Sequence, residues 1–173
     1  GRHNVHNAVA AAALALAAGL SLAEVSDGLK NFSNIKGRLN IKQGIKDATL
    51  IDDTYNANPD SMKAAIDVLA AMPAPRIFVM GDMGELGEDE AVAMHAEVGA
   101  YARDKGIEAA YFVGDNSVEA AETFGAEGLW FADKDPLIQV LSHDLPERAT
   151  VLVKGSRFMK MEEVVEALVA TTA

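Results

Sequence analysis

Residues 76–113 read RIFVMGDMGELGEDEAVAMHAEVGAYARDKGIEAAYFV, and their pattern indicates the fold class. Within this stretch, two short and wholly apolar segments, 77–80 and 110–113, flank a run of helix formers at 88–105. Short apolar strands joined by a helix are typical of parallel strands that are buried on both faces. The stretch therefore predicts a strand–helix–strand unit of a parallel sheet.

The same alternation extends outward from this unit in both directions. Further short strands are predicted at 49–51, 129–131 and 151–153, and 39–41 is predicted to form a hairpin with 49–51. Helices are predicted to begin at Pro59, near Ser117 and near Lys160, and a further helix is predicted to follow Asp133 as its cap. The fold class is therefore α/β, a Rossmann-like doubly wound and mostly parallel sheet. Ligands of such sheets bind at the carboxyl ends of the strands.

Two further helices are predicted before the sheet, at residues 4–18 and 22–30. The second begins with Ser21 and Glu24 at the spacing of a capping box. Two helices with so much apolar surface are not a stable unit by themselves. We take the change of pattern at Gly37 as a domain boundary between 1–36 and 37–173, and we expect the partner of the first part to precede Gly1.

Composition excludes several classes of function. The net charge of -11 argues against nucleic acid as a partner, because binding to phosphate backbones requires clustered lysine and arginine. The chain has no cysteine, so disulfides, thiolate catalysis and zinc–thiolate sites are excluded. The apolar run at 9–20 is shorter than the roughly 20 residues that a membrane span needs, so no membrane association is expected.

The densest polar segment, DDTYNANPDS at 52–61, directly follows a predicted strand. Its carboxylates, amides and helix N-terminus suit ribose hydroxyls, a cationic amine, or the orientation of a neighbouring arginine. The alternative is that Asn58 only caps a helix and that Asp52 and Asp53 lie on a solvated strand end. We favour a functional segment.

Three other motifs have a structural alternative. The loop GDMGELG at 81–87 lacks the G-x-G-x-x-G spacing of a dinucleotide site, so we interpret it as a turn. Residues 154–157, Lys-Gly-Ser-Arg, predict a carboxylate or phosphate site or, equally, a basic loop. His3 and His6 have no third ligand nearby, so no metal site is expected. His95 and His143 have no partners close in sequence, and packing or solvation explains them better.

Together these motifs resemble the Mur ligases of peptidoglycan synthesis, and within them the branch that adds D-alanyl-D-alanine to UDP-N-acetylmuramoyl-tripeptide. The resemblance spans nearly the whole chain and rests on residues 1–8, 37–39, 52–61, 81–87 and 153–157. It implies that 1–36 are a helical remnant of a central ATPase domain and that 37–173 are the C-terminal domain.

The resemblance also implies an activity for the full-length protein, in the cytoplasm and as a monomer. ATP would phosphorylate the tripeptide carboxylate, and the amine of D-alanyl-D-alanine would attack the resulting acyl phosphate, with Mg²⁺ on the phosphates. No G-x-x-x-x-G-K-[ST] phosphate loop occurs in this sequence. Phosphates, Mg²⁺ and the UDP-sugar would therefore be held mainly by residues outside the chain, which we expect to be inactive by itself.

Individual residues can be carried over from the family. The resemblance implies that ATP is contacted by Asn4, Asn7, Arg38, Asp53, Tyr55 and Asn58. The two Asn residues on the first helix would lie beside the adenine, Arg38 would reach a phosphate, and Asp53 would lie near the ribose. Lys154 and Ser156 would lie near the incoming dipeptide, where a cation holds its carboxylate.

Two alternatives remain open from the sequence. One is a stand-alone α/β module that binds a nucleotide or a small anion without a reaction of its own. The other is a ligase similar to folylpolyglutamate synthase, which has the same architecture and joins glutamate to a folate.

Overall fold

The computed structural model of the protein describes residues 2–32 and 35–170. By their internal contacts the residues fall into two compact units, Gly1–Ile35 and Lys36–Ala173. The division is adjacent to the boundary expected at Gly37. That the first unit belongs to a central domain remains a prediction.

The first unit consists of two helices, α1 (Arg2–Ala17) and α2 (Leu22–Lys30). The predicted capping box of α2 is confirmed, because the Ser21 hydroxyl accepts from the Glu24 amide at 3.3 Å and the Glu24 carboxylate accepts from the Ser21 amide at 2.8 Å. Large apolar side chains on both helices remain exposed, including Val5, Leu14 and Leu22. Among the described residues of this unit, Val25 is buried, while most of the large apolar side chains remain exposed.

The second unit is built on a six-stranded sheet in the order β1-β2-β6-β3-β4-β5. The strands are β1 (Asn40–Gln43), β2 (Thr49–Asp53), β3 (Arg76–Gly81), β4 (Ala109–Val113), β5 (Gly128–Phe131) and β6 (Thr150–Lys154). All neighbours are parallel except β1, which pairs with β2 as the predicted antiparallel hairpin. The predicted α/β class with a mostly parallel sheet is confirmed.

Helices cover both faces of this sheet. They are α3 (Pro59–Ala70), α4 (Glu88–Asp104), α5 (Ser117–Phe124), α6 (Lys134–Asp144) and α7 (Glu162–Leu168). The last helix begins later than predicted because Lys160 has a left-handed backbone, with φ 49°. Asp133 occupies the N-cap position of α6, as predicted, but its side chain makes no capping bond. Within the described residues, no helix combines the length and the hydropathy needed to cross a lipid bilayer.

Successive residues of the central strands point to opposite faces, and each face has its own hydrophobic core. The core under α3, α4 and α5 includes Ile51, Phe78 and Leu152. The core under α6 and α7 includes Leu50, Val79 and Val151. Burial of each such side chain contributes about 1.5–3 kcal/mol. Because apolar cores cover both faces of the sheet, we expect polar side chains that could bind a ligand at the ends of the strands.

Close packing of α4 on α5 depends on Gly99, which is buried. A Cβ atom at this position would overlap the backbone carbonyl of Ala120 in α5. We expect Gly99→Ala to lower the free energy of unfolding by about 2 kcal/mol, because the two helices must separate. Denaturant unfolding measures this change. The control is Gly28→Ala in α2, where a Cβ meets nothing within 4 Å and no loss is expected.

Candidate functional site

Three polar segments meet at one edge of the sheet because β2, β6 and β3 are adjacent and parallel. Their carboxyl ends lead into residues 54–58, 155–157 and 82–87, respectively. The segments at 52–61 and 154–157, distant in sequence, are thereby brought together with the loop at 81–87. This is the edge at which doubly wound sheets bind their ligands.

A buried ion pair joins the first two segments. The ammonium of Lys154 lies 2.6 Å from the carboxylate of Asp53 and donates to the carbonyl of Asn56 at 2.8 Å. Lys154 is 3% exposed, and burial lowers its pKa, opposed by the charge of Asp53. The cation predicted to hold a substrate carboxylate is therefore engaged by the protein itself, and its substrate role remains a prediction.

Asp53 also orders the segment that carries Arg38. The second oxygen of Asp53 accepts from the Leu39 amide at 3.2 Å, and the Tyr55 amide donates to the Gly37 carbonyl at 2.9 Å. Gly37 has φ 75°, a left-handed conformation that favours glycine. The Arg38 guanidinium consequently lies 4.5 Å from the centroid of the Tyr55 ring. Both side chains are exposed, so a planar cation stacked on an aromatic ring is available to a ligand.

Asp52 and Asp53 do not lie on a solvated strand end, the alternative considered from the sequence. Asp52 is fully buried, where it pairs with Lys42 at 2.8 Å and accepts from the Thr54 hydroxyl at 2.7 Å. Asp53 is 8% exposed. Both carboxylates therefore have internal partners, which fix the polar segment rather than leaving it free.

Asn58 is the N-cap of α3, as the sequence predicted. Its side-chain oxygen accepts from the Ser61 amide at 2.8 Å, while the Ser61 hydroxyl accepts from the Asn58 amide at 3.0 Å. This reciprocal pair satisfies two backbone donors of the helix start. Capping accounts for Asn58, and its proposed nucleotide contact remains a prediction.

A cleft of about 570 Å³ opens between the three segments. Its polar lining comprises Asn56, Glu85, Ser156, Arg157 and Lys160, and the exposed ring of Phe158 adds an apolar wall. Glu85 and Lys160 have φ values of 60° and 49°. Non-glycine residues in the left-handed region cost about 1–2 kcal/mol and cluster at functional sites. Lys160, Glu85 and Arg157 thus line a cleft at the end of the sheet, and the Arg157 guanidinium pairs with the Glu162 carboxylate at 2.7 Å.

Glu85 and Lys160 were not among the residues predicted for a site, whereas Arg157 belongs to the segment 154–157 that was considered as a carboxylate or phosphate site. Lys160 carried a signal, since it is a cation close after a strand in an acidic chain. Ser156, which was assigned, is only 3% exposed, and its hydroxyl accepts from the Gly84 amide and donates to the Ala57 carbonyl at 3.4 Å. Ser156 therefore joins the loop at 81–87 to the segment at 52–61.

The loop at 81–87 is held by more partners than a simple turn requires. The Asp82 carboxylate is buried and accepts from the Ser117 hydroxyl at 2.6 Å and from the Asn116 amide at 3.1 Å. The next amide, of Met83, donates to Nε2 of His95 at 2.9 Å. The interpretation of His95 by packing alone was therefore incomplete, because its ring bonds to a loop 12 residues earlier in the chain.

The remaining sequence-predicted residues lie in the first unit. Asn7 is exposed on α1. Asn4 belongs to the same helix, but its side chain lies outside the described part of the structure. Their roles beside an adenine remain predictions.

A divalent cation such as Mg²⁺ requires several oxygen ligands gathered around one point. Among the side chains that the structure describes, no three His, Cys, Asp or Glu residues gather in a way that holds a metal ion. Asp52, Asp53 and Asp82 lie closest to the strand ends, and each has internal partners. These residues therefore do not fit a protein-made Mg²⁺ site.

The fold and the strand-end cleft define a class of protein. The family model described as Mur ligase, glutamate ligase domain, matches residues 37–157, and the chain belongs to this family. A curated relative, the UDP-N-acetylmuramoyl-tripeptide–D-alanyl-D-alanine ligase of Escherichia coli (strain K12), is 47% identical over 170 residues. That alignment covers 97% of this chain and 37% of the relative, so the chain spans well under half of the relative's length.

Solved structures agree with this assignment. The crystal structure of MurF from Acinetobacter baumannii is 39% identical, with a TM-score of 0.84 over 96% of this chain and 37% of that chain. MurF from Thermotoga maritima, solved in complex with ADP, is 24% identical and has a TM-score of 0.74 over 90% of this chain and 35% of that chain. The second likeness shows the fold alone.

Proposed function

We propose that the full-length protein is an ATP-dependent ligase that joins D-alanyl-D-alanine to UDP-N-acetylmuramoyl-tripeptide. The observation that carries the proposal is the 47% identity to a ligase of that name over 97% of this chain. The second unit would then be its C-terminal domain, and the first unit would be the last helices of its central ATPase domain. The location would be the cytoplasm, and the protein would act as a monomer.

In this proposal the chain provides one wall of a composite active site. ATP would be contacted by Arg38, Asp53, Tyr55, Asn58, Asn4 and Asn7. The stacked Arg38 guanidinium suits a phosphate because it is planar, always charged and able to donate two bonds at once. Mg²⁺ would take its protein ligands from residues outside this chain, in keeping with the internally paired carboxylates at the strand ends.

The cleft supports a role in binding the dipeptide. D-alanyl-D-alanine has one carboxylate, one amine and two methyl groups. The cation of Lys160 suits the carboxylate, and Arg157, which pairs with Glu162 at 2.7 Å, adds a second positive charge. Phe158 suits the methyl groups, and Ser156 lies in the same lining. The free amine would attack the activated tripeptide carbonyl, so that a C–N bond forms, phosphate leaves and the amine loses a proton. Lys154 would support this wall through Asp53 and Asn56.

The test is amide formation by the full-length protein. With ATP, Mg²⁺ and UDP-N-acetylmuramoyl-tripeptide, we expect phosphate release and a product heavier by one dehydrated D-alanyl-D-alanine, measured by mass spectrometry. Glutamate offered with a folate acceptor is the matched control for the folylpolyglutamate synthase alternative. Product with glutamate and none with the dipeptide would contradict the proposal, and binding without any product would favour the stand-alone module.

The isolated chain is expected to show no ATP hydrolysis above background. The reason is that its sequence contains no phosphate loop, so the triphosphate has no cradle of backbone amides. Phosphate release by residues 1–173 and by the full-length protein should be compared at equal concentration. Steady turnover by the isolated chain that is lost on Asp53→Asn would contradict this expectation.

A further inference from the structure

His95 is a buried polar residue that the proposed reaction does not use. It lies in α4, is 0% exposed, and uses both ring nitrogens. Nδ1 lies 2.7 Å from the carbonyl of Ala91, and Nε2 lies 2.9 Å from the amide nitrogen of Met83. A carbonyl can only accept and an amide can only donate, so the ring is neutral with its proton on Nδ1.

The Met83 amide has a particular need for this acceptor. β3 ends at Gly81, so the amide at 83 follows the end of the strand's own hydrogen bonding, and Met83 itself is only 2% exposed. A buried amide without an acceptor costs about 1–3 kcal/mol. An apolar residue in place of His95 would fill the space but would leave this donor unsatisfied.

Three consecutive residues of the loop are each held from a different side. Asp82 is bound by the start of α5 through Ser117, and Met83 is bound by α4 through His95. Gly84 donates to the Ser156 hydroxyl, and the Ser156 amide donates to the Asp82 carbonyl at 2.9 Å. Gly84 and Ser156 both line the cleft. The His95 bond is thus made to the residue directly before Gly84, which lines the cleft.

We propose that His95 is a positioning residue for the cleft: through the Met83 amide it fixes the Gly84–Glu85 wall against Ser156. This deepens the proposed function and rests on it, since the cleft is taken as the dipeptide site. His95 contacts no substrate. Its effect is to hold the loop in one conformation, so that Glu85 keeps its left-handed backbone toward the cleft.

Two isosteric variants of the full-length protein distinguish the roles of the two ring nitrogens of His95. In His95→Gln the amide oxygen can take the place of Nε2 and accept from Met83, whereas in His95→Asn the shorter amide can replace only Nδ1. We expect His95→Asn to raise KM for D-alanyl-D-alanine about tenfold with KM for ATP unchanged, and His95→Gln to remain within about threefold of wild type. Equal effects of both variants, or equal changes in both KM values, would overturn the proposal.

Hydrogen–deuterium exchange provides a readout that does not depend on the reaction. In His95→Asn, exchange of the peptide that covers 82–87 should accelerate relative to wild type and His95→Gln, while α6 peptides serve as the unchanged control. Unchanged exchange at 82–87 would overturn the positioning role. Absence of ligase activity in the wild type, with exchange as expected, would instead overturn only the proposed function.

If His95→Asn does not fold, the proposal can be tested on the wild-type protein. Histidine-selective ¹⁵N NMR of the full-length protein, with the His95 signals identified from His95→Gln, should show a neutral ring protonated at Nδ1. The Asp82 carboxylate lies close to the ring, with Oδ1 3.7 Å from Nε2. A proton on Nε2, directed at that carboxylate, would exclude the bond from Met83 and overturn the proposal.

Discussion

Replacement of Lys154 by methionine is expected to lower the free energy of unfolding by about 3–5 kcal/mol. Methionine fills much of the lysine's space, but the Asp53 carboxylate, 8% exposed, loses the ammonium at 2.6 Å. The carbonyl of Asn56 loses its donor as well. A buried charge without its counter-ion is among the largest effects of a single substitution. Urea unfolding of the chain with and without the substitution measures the change.

The same urea unfolding measurement separates the contribution of the Asp53–Lys154 pair from the effects of the two single substitutions. Asp53→Asn should also destabilise, and the double variant Asp53→Asn/Lys154→Met should be several kcal/mol more stable than the sum of the two losses predicts, because neither charge is then left alone. Lys63→Met is the matched control, since Lys63 pairs with Glu97 at 2.7 Å near the surface. Its loss should not exceed about 1 kcal/mol. A loss at Lys154 as small as at Lys63 would contradict the structural role.

The elements of this fold could be predicted because each has a local signal. The wholly apolar runs at 77–80, 110–113 and 151–153 fall within strands that are buried on both faces, and Ser21 begins a helix through bonds within one turn. The order of the strands has no such signal. β6 is last in sequence but lies between β2 and β3, and this placement depends on packing across the whole sheet.

Partners in the site were predictable only where they are near in sequence. Asn58 and Ser61 form their cap within one helical turn. Asp53 and Lys154, in contrast, are 101 residues apart and meet only because β2 and β6 pair in register. Because side chains alternate along β2, Asp52 pairs with Lys42 and Asp53 pairs with Lys154. Two adjacent aspartates in a sequence do not reveal that they have different partners.

His95 illustrates a second limit of sequence reasoning. Its ring partners are a backbone carbonyl and a backbone amide, and backbone groups are the same at every position. The residue types of Ala91 and Met83 therefore say nothing about the bonds. Only the end of β3 at Gly81 places an unsatisfied amide opposite α4.

Substitution of Arg38 by alanine is expected to lower kcat/KM for ATP in the full-length ligase by about 100-fold. The expectation rests on the proposed phosphate contact, since a charged hydrogen bond to a phosphate contributes about 1.5–3 kcal/mol and each 1.36 kcal/mol is tenfold in rate. Stability should hardly change, because Arg38 is exposed and contacts the protein through the Tyr55 ring. Steady-state kinetics and thermal unfolding of the same preparations measure both quantities.

Two further variants make the Arg38 test specific to the site. Arg38→Lys keeps the charge but loses the planar fork that stacks on Tyr55, so it should recover less than a tenth of the wild-type kcat/KM. Arg148→Ala removes an exposed arginine just before β6, at the opposite end of the strands, and should leave kcat/KM for ATP unchanged. If Arg38→Ala stayed within threefold of wild type, or if Arg148→Ala lowered kcat/KM equally, a nucleotide contact by Arg38 would be wrong.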